Sequence, residues 1–270
     1  MTHQARKRFG QNFLQDQSII YNILAQAHPV KGEHWLEIGP GLGALTKPLL
    51  KTQVRLDVVE LDRDLVKHLQ QQFADHPNLT IHSADALEFD FSALAHANEK
   101  LRVIGNLPYN ISTPLMFHLL ENTNCIQDMH FMLQKEVVDR ICAAPGSKTY
   151  GRLSVMMQYY CATEILFDVP PESFDPAPKV MSAIVKLTPH LQAPVTIKNL
   201  VSFKQLVTQA FSQRRKTIRN SLKNWVDEQQ MLALGIDPSL RAESLNLEQF
   251  ASLNMHANND EVGLPPLKPI

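Results

Sequence analysis

The chain has 270 residues, 44% of them hydrophobic and 20% charged, which is the balance of an ordinary soluble globular protein with room for one large core or a large and a small domain. No window approaches the roughly 18 uninterrupted apolar residues of a membrane span, and no apolar run follows the basic start MTHQARKRFGQNF as it would in a secretory signal, so a cytoplasmic protein is expected. The net charge of −1 is unevenly spread: residues 201–224 carry +6 without an acid and residues 1–31 carry +3, leaving −10 on the rest.

Along the chain, apolar β-rich runs alternate with helical patterns. HWLEIG (34–39) reads as a strand, and the glycine-rich PGLG leads into a helix, ALTKPLLK. VRLDVVEL (54–61) is the second strand, followed by RDLVKHLQQQFAD, where Leu65, Leu69 and Phe73 recur at helical spacing. LTIHSAD (79–85) and LRVIGNL (101–107) are the third and fourth. Strand and helix alternating at this pitch predict an α/β fold with a parallel, doubly wound sheet. MHFMLQ (129–134), EILFDVP (164–170) and SAIVKLTP (182–189) extend that sheet, and the Pro-rich PPESFDPAPKV between the last two suits a loop and an antiparallel return. TPHLQAPVT marks a boundary, dividing the chain into residues 1–190 and a small helical domain, 191–270. In the latter, FKQLVTQAFSQRRKTIRNSLKNW (203–225) is free of Gly and Pro and reads as helical. LNLEQFASL (245–253) is a second helix, and the tail from 258 reads as poorly ordered. Three cysteines, Cys125, Cys142 and Cys161, stand in no CxxC or Cys/His cluster; they read as reduced thiols, and no metal is called for.

Chemistry concentrates at the predicted strand ends. In LEIGPGLGALT, Gly39, Gly41 and Gly43 allow a tight turn and close approach of a ligand. The spacing Gly39, Gly41, Ala44 also fits the dinucleotide pattern G-x-G-x-x-A. Glu60, 21 residues after Gly39, ends the next strand, where an acid can accept from ribose hydroxyls. Those features fit NAD and S-adenosylmethionine equally. Asp85 ends the third strand within reach of an adenine amino group. The fourth ends in Asn106-Leu107-Pro108-Tyr109, with no acid, base or nucleophile. An exocyclic amine needs no strong base before attack; its two N–H groups must be held so that the nitrogen can pyramidalise. The Asn106 carboxamide oxygen and a carbonyl of Leu107 or Pro108 are suitable acceptors. Proline stiffens that geometry, and Tyr109 is suited to stack on an extruded base. Each residue alone has a bland reading, Asn-x-Pro as a turn and Tyr as packing; the combination favours amine methylation.

At this point the sequence resembles the KsgA/RsmA family of ribosomal RNA adenine dimethyltransferases. RKRFGQNFL, EIGPGLGALT, GNLPYNIST, QKEVVDRICAAPGSKTYGRLSV, FDPAPKVMSAIVKL and AFSQRRKTIRNSL all look like that family's motifs, in the family's order, over nearly the whole chain. The resemblance implies a Rossmann-like class I S-adenosylmethionine-dependent methyltransferase sheet with a small C-terminal α-helical domain. It implies that Asn12, Leu14, Gly39, Gly41, Glu60, Asp85 and Asn106 line the S-adenosyl-L-methionine site. Asn106 through Tyr109 would hold the target amine, with Phe174 stacking on the adenine from the other side. It also gives the basic blocks a use: Arg214, Arg215, Lys216 and Arg219 would contact RNA phosphates, and Arg6, Lys7 and Arg8 would act near the mouth of the site. Phosphate contacts position without reading sequence. The implied partner is small-subunit ribosomal RNA in a pre-30S particle, met by a monomer. The rival readings are an Erm-type methyltransferase of large-subunit RNA, an NAD(P)-dependent oxidoreductase and a non-enzymatic assembly factor.

Overall fold

The computed structural model describes residues 11–74, 76–95, 99–213 and 215–257. In chain order these contain β1 (Phe13–Leu14), α1 (Gln17–Ala27), β2 (His34–Ile38), α2 (Thr46–Lys51), β3 (Arg55–Glu60), α3 (Arg63–Gln72), β4 (Leu79–Ser83), β5 (Leu101–Asn106), α4 (Ser112–Leu120) and β6 (Ile126–Gln134). There follow α5 (Lys135–Ile141), α6 (Arg152–Tyr160), β7 (Cys161–Val169), β8 (Phe174–Asp175), β9 (Ser182–Pro189), α7 (Leu200–Phe211), α8 (Ile218–Ser221), α9 (Glu228–Ala233) and α10 (Leu247–Met255).

Seven strands form one sheet in the order β4-β3-β2-β5-β6-β9-β7. The pairs β4·β3, β3·β2, β2·β5 and β5·β6 are parallel, and β6·β9 is antiparallel. The order reverses between β2 and β5, the switch point outside which ligands of open α/β sheets bind. The predicted α/β fold is thus borne out. Its central strands read as they should: every residue of β2 is buried, because a parallel strand is covered on both faces, whereas the edge strand β4 is mostly half-exposed. Against one face packs a core of Trp35, Ile104 and Met132 with Ile20, Ile23 and Ala27 of α1. That helix starts where the Asp16 carboxylate accepts the Ser18 N–H at 2.9 Å and ends at His28 in the left-handed conformation.

Three features depart from the periodicity. First, β1 and β8 make a separate two-stranded antiparallel ribbon with Phe13 opposite Asp175 and Leu14 opposite Phe174. Strands of two residues are too short to show any alternation. Second, the helical reading of 203–225 is corrected: α7 stops at Phe211 and only Ile218–Ser221 resumes as a helix. The buried stripe of α7 is Phe203, Leu206, Val207 and Ala210. One turn further on it would fall at Gln213 and Arg214, which a core does not accept. The chain turns instead. The Ile218 N–H then donates to the Leu240 carbonyl at 2.7 Å, so that Ile218 and Leu222 can be buried. Third, the described residues cluster into one unit drawn from Met1–Val138 and Glu164–Pro189, and another drawn from Asp139–Thr163 and His190–Pro269. The segment 139–163, which the sequence reading assigned to the first domain, therefore belongs with the helices of the second. Within that unit Tyr159 of α6 lies 5.2 Å from Phe203 of α7, ring to ring, and Phe211 lies 5.7 Å from Phe250 of α10. The helix predicted at 245–253 is observed as α10, capped reciprocally by Asn246 and Gln249. The tail from residue 258 lies outside the described residues.

Candidate active site

At the C-terminal edge of β2, β3 and β5 the first unit has a cavity of about 310 Å³. Its floor is the loop after β2. Gly41 takes φ of +58°, a conformation that favours glycine, and a β-carbon there would stand a tight 3.1 Å from the Phe13 ring. The Gly41 N–H donates to Glu60 Oε2 at 3.2 Å, and Glu60 Oε1 accepts the Asp62 N–H at 2.9 Å. Glu60 therefore shapes the loop while keeping lone pairs for a ligand hydroxyl. Burial raises its pKa, against the pull of those two N–H groups. Asp85, two residues past β4, lines the same cavity and is steadied by the Leu87 N–H at 2.9 Å.

Asn106 ends β5 at the cavity wall. The preceding Gly105 makes this possible: a β-carbon there would stand 2.5 Å from the Ile38 carbonyl oxygen, so any side chain would push β5 off β2. Asn106 Nδ2 donates to the Asn12 carbonyl at 2.9 Å. That bond assigns the amide orientation and leaves Oδ1 as an acceptor without a partner among the described residues. Of the next two carbonyls, Pro108 accepts the Ile111 N–H at 3.1 Å, while Leu107 has no hydrogen-bond partner among the described residues. The Leu107 N–H is held by the Met132 carbonyl at 3.2 Å. Tyr109 follows, half-buried, its hydroxyl 2.8 Å from Ser182 Oγ.

Of the expected cofactor-site residues, Asn12, Leu14, Gly39, Gly41, Glu60, Asp85 and Asn106 all line this cavity, as do Leu107, Pro108 and Tyr109. Phe174 does not. It is 5% exposed, paired with Leu14 in the ribbon and packed into the core. Arg215, Lys216 and Arg219 lie in the second unit, the first two in the turn between α7 and α8 and the third on α8, where it pairs with Glu228 at 3.6 Å. Arg6, Lys7, Arg8 and Arg214 lie outside the described residues.

The sequence reading missed Glu37. It is buried in β2, lines the cavity, and accepts the Thr46 hydroxyl at 2.6 Å. Burial pushes its carboxyl up to about 8, with the Thr46 bond opposing and the charge of Glu60 adding to the rise. An acid flanked by Trp35, Leu36 and Ile38 was the available signal, since Glu is almost never buried without a reason. The described lining thus carries three carboxylates, Glu37, Glu60 and Asp85, and no Lys, Arg or His. A ligand entering this cavity meets acidic side chains and no cationic one.

Comparison with known proteins agrees with this geometry. The sequence profile of a family described as ribosomal RNA adenine dimethylase matches residues 2–258. A Marinomonas sp. protein named ribosomal RNA small subunit methyltransferase A is 56% identical over 93% of this chain and 94% of its own length. A Yersinia pestis protein of the same name is 55% identical over 93% of each. Among solved structures, a dimethyladenosine transferase from Plasmodium falciparum is similar with a TM-score of 0.76 and 25% identity, over 89% of this chain and 95% of that one. The 23S rRNA methyltransferase ErmE is similar with a TM-score of 0.73 and 25% identity, over 92% of this chain and 100% of that one.

Proposed function

The chain belongs to the ribosomal RNA adenine dimethylase family, whose members depend on S-adenosyl-L-methionine, and on that premise we propose that it methylates the N6 amines of two adjacent adenosines in small-subunit ribosomal RNA. The observation that carries this reading is the pairing of a cavity whose charged lining residues are all acidic with an amide oxygen at its wall that has no partner among the described residues. Glu60 and Asp85, with no cation beside them in the lining, suit a ligand bearing a sulfonium and an ammonium. The lining offers no Lys or Arg to a pyrophosphate of NAD(P).

When bound, S-adenosylmethionine supplies a methyl carbon made electrophilic by its sulfonium. Glu60 accepts from the ribose hydroxyls, Asp85 from the adenine amino group, and Glu37 lies in the same field. Asn106 Oδ1 accepts one N–H of the target amine and the Leu107 carbonyl accepts the other, which turns the nitrogen lone pair toward the cavity. Tyr109 carries the flipped base on its ring, a contact worth about 1–3 kcal/mol. Alignment of the reactants supplies the rate. The proton left on N6 after transfer passes to water, so no side-chain base is needed.

Arg215, Lys216 and Arg219 contact RNA phosphates, and the enzyme works as a cytoplasmic monomer on a pre-30S particle. Identity of 55–56% to proteins named for the small subunit, against 25% to the large-subunit enzyme, supports that choice of RNA. Among the described residues no helix is long and apolar enough to cross a membrane. The deciding experiment offers each purified, unmethylated ribosomal subunit separately with labelled cofactor and maps the product by mass. Label at two neighbouring adenosines of the small subunit is expected; label in the large subunit alone would overturn the reading.

A further inference from the structure

Among the described residues the Tyr109 hydroxyl has one partner, whose place follows from the topology. β9 runs antiparallel to β6, so its first residue, Ser182, lies at the edge where the parallel strands end. Ser182 pairs with Gln134, two residues beyond Met132, which itself pairs with Asn106 and holds the Leu107 N–H. Ser182 is fully buried, and its hydroxyl lies 2.8 Å from that of Tyr109. Burial holds the Tyr109 phenol above its usual range, so it remains a neutral hydroxyl throughout the working pH range. The acceptors for the amine and the ring beside them are thus fixed by three adjacent strands. A tyrosine held only at its backbone could swing about its side-chain bonds; this one is also held at the far end of its ring.

We propose that Ser182 is a positioning residue for methyl transfer, fixing the Tyr109 ring through its hydroxyl, and that this matters most for the second methylation of each adenosine. The inference rests on the reading of Tyr109 as the platform for the base. An unmodified adenine offers two N–H groups, one to Asn106 Oδ1 and one to the Leu107 carbonyl. After the first transfer the amine retains one, so only one of the two holding bonds can form. Orientation of the monomethylated base then depends more on the ring beneath it, and a ring free to swing costs the second step more than the first.

The test uses the full chain acting on unmethylated small subunits, with Tyr109→Phe, Ser182→Ala and the double variant. Mono- and dimethyladenosine are quantified by mass over time. Each single variant is expected to lower kcat for the second transfer about 10-fold and for the first about 3-fold or less, so that N6-monomethyladenosine accumulates. Affinity for S-adenosylhomocysteine, measured by calorimetry, is expected to stay within 2-fold. The double variant should be no slower than either single one, because both remove the same hydrogen bond. Tyr109→Phe keeps the ring and is half-exposed, so the test survives if Ser182→Ala fails to fold. Losses that multiply in the double variant, or that fall equally on both methylations, would overturn the inference. Tyr109→Ala separates it from the reading beneath: if that variant is crippled while Tyr109→Phe is unaffected, only the inference about Ser182 is lost. If Tyr109→Ala keeps full activity, the platform itself is refuted.

Discussion

The two edges of the central sheet treat buried charge in opposite ways. At the N-terminal edge acids are matched with cations. Arg102 donates from Nε and Nη2 to the two oxygens of Asp128, both at 2.9 Å, and from Nη1 to Glu33 at 2.9 Å. It also caps α1 at the Ala27 carbonyl, 2.7 Å away, with its guanidinium 4.3 Å from the centre of the Trp35 ring. In the middle of the sheet, on β3, an acid is instead held by imidazole hydrogen bonds: Asp57 sits between His34 and His82, 2.6 Å from each. Burial would raise the Asp57 pKa, yet its two histidine partners bring it below the usual value. At the C-terminal edge, among the described residues, Glu37 and Glu60 have only a hydroxyl and backbone N–H groups. Burial wins there, and both pKa values rise. A buried acid with a cation of its own is a structural fastening. One without is an unsatisfied demand for positive charge, which a cationic ligand can meet.

The largest effect should come from breaking a fastening. Arg102→Met leaves Asp128 buried without its cation and should cost about 3–5 kcal/mol of stability in urea unfolding. Turnover per folded molecule at low temperature should hardly change; a specific loss of kcat would mean that this edge takes part in catalysis. Asn106→Ala should do the reverse, lowering kcat about 100-fold, or ~2.7 kcal/mol of barrier, with stability and cofactor affinity little altered. A change confined to KM would contradict its role in aligning the amine.

Glu37 sharpens the contrast through pH. Its carboxyl is held up to about 8 in the fold but titrates near 4.5 when exposed. Between those values the unfolded chain has released a proton that the folded chain retains, so stability falls as pH rises through this window. Glu37→Gln should remove that contribution, flattening the stability profile by up to about 1.4 kcal/mol per pH unit. Parallel profiles for the two proteins would show that Glu37 is ionised throughout. The smallest effect lies outside the sheet. Replacing Arg215, Lys216 and Arg219 by Ala should weaken RNA binding and reduce its salt slope by about 0.7–0.9 for each phosphate no longer neutralised. An unchanged slope would mean that these cations only face solvent.

Much of this was legible from residues alone, and for definable reasons. Alternating strands and helices imposed the parallel sheet, and Asn106-Leu107-Pro108-Tyr109 disclosed its chemistry because contiguous residues carry it. Gly39, Glu60 and Asp85 were legible because a parallel sheet brings consecutive strand ends to one edge. What pairing across the chain decides was not legible. Phe174, expected to stack on the base, is paired with Leu14 and buried beside the cavity-lining residues rather than among them. The run 203–225 has helical composition, but its apolar stripe ends at Ala210, and only the demand of the core for Ile218 shows where the chain must turn. That the Pro108 carbonyl accepts the Ile111 N–H, while that of Leu107 has no partner among the described residues, was visible only in the fold.

By itself, then, the sequence determined the alternation of strands and helices from β2 to β5, the glycine-rich loop after β2 and the amide at the end of β5, since each depends on neighbours within a few residues. Only the tertiary structure decided which way that amide points, through the Asn12 carbonyl 94 residues away in sequence. It alone placed Ser182 against Tyr109, 73 residues apart, because β9 enters the sheet antiparallel beside β6. Hydrogen bonds of that span depend on which strands become neighbours, and that is settled by burial over the whole core.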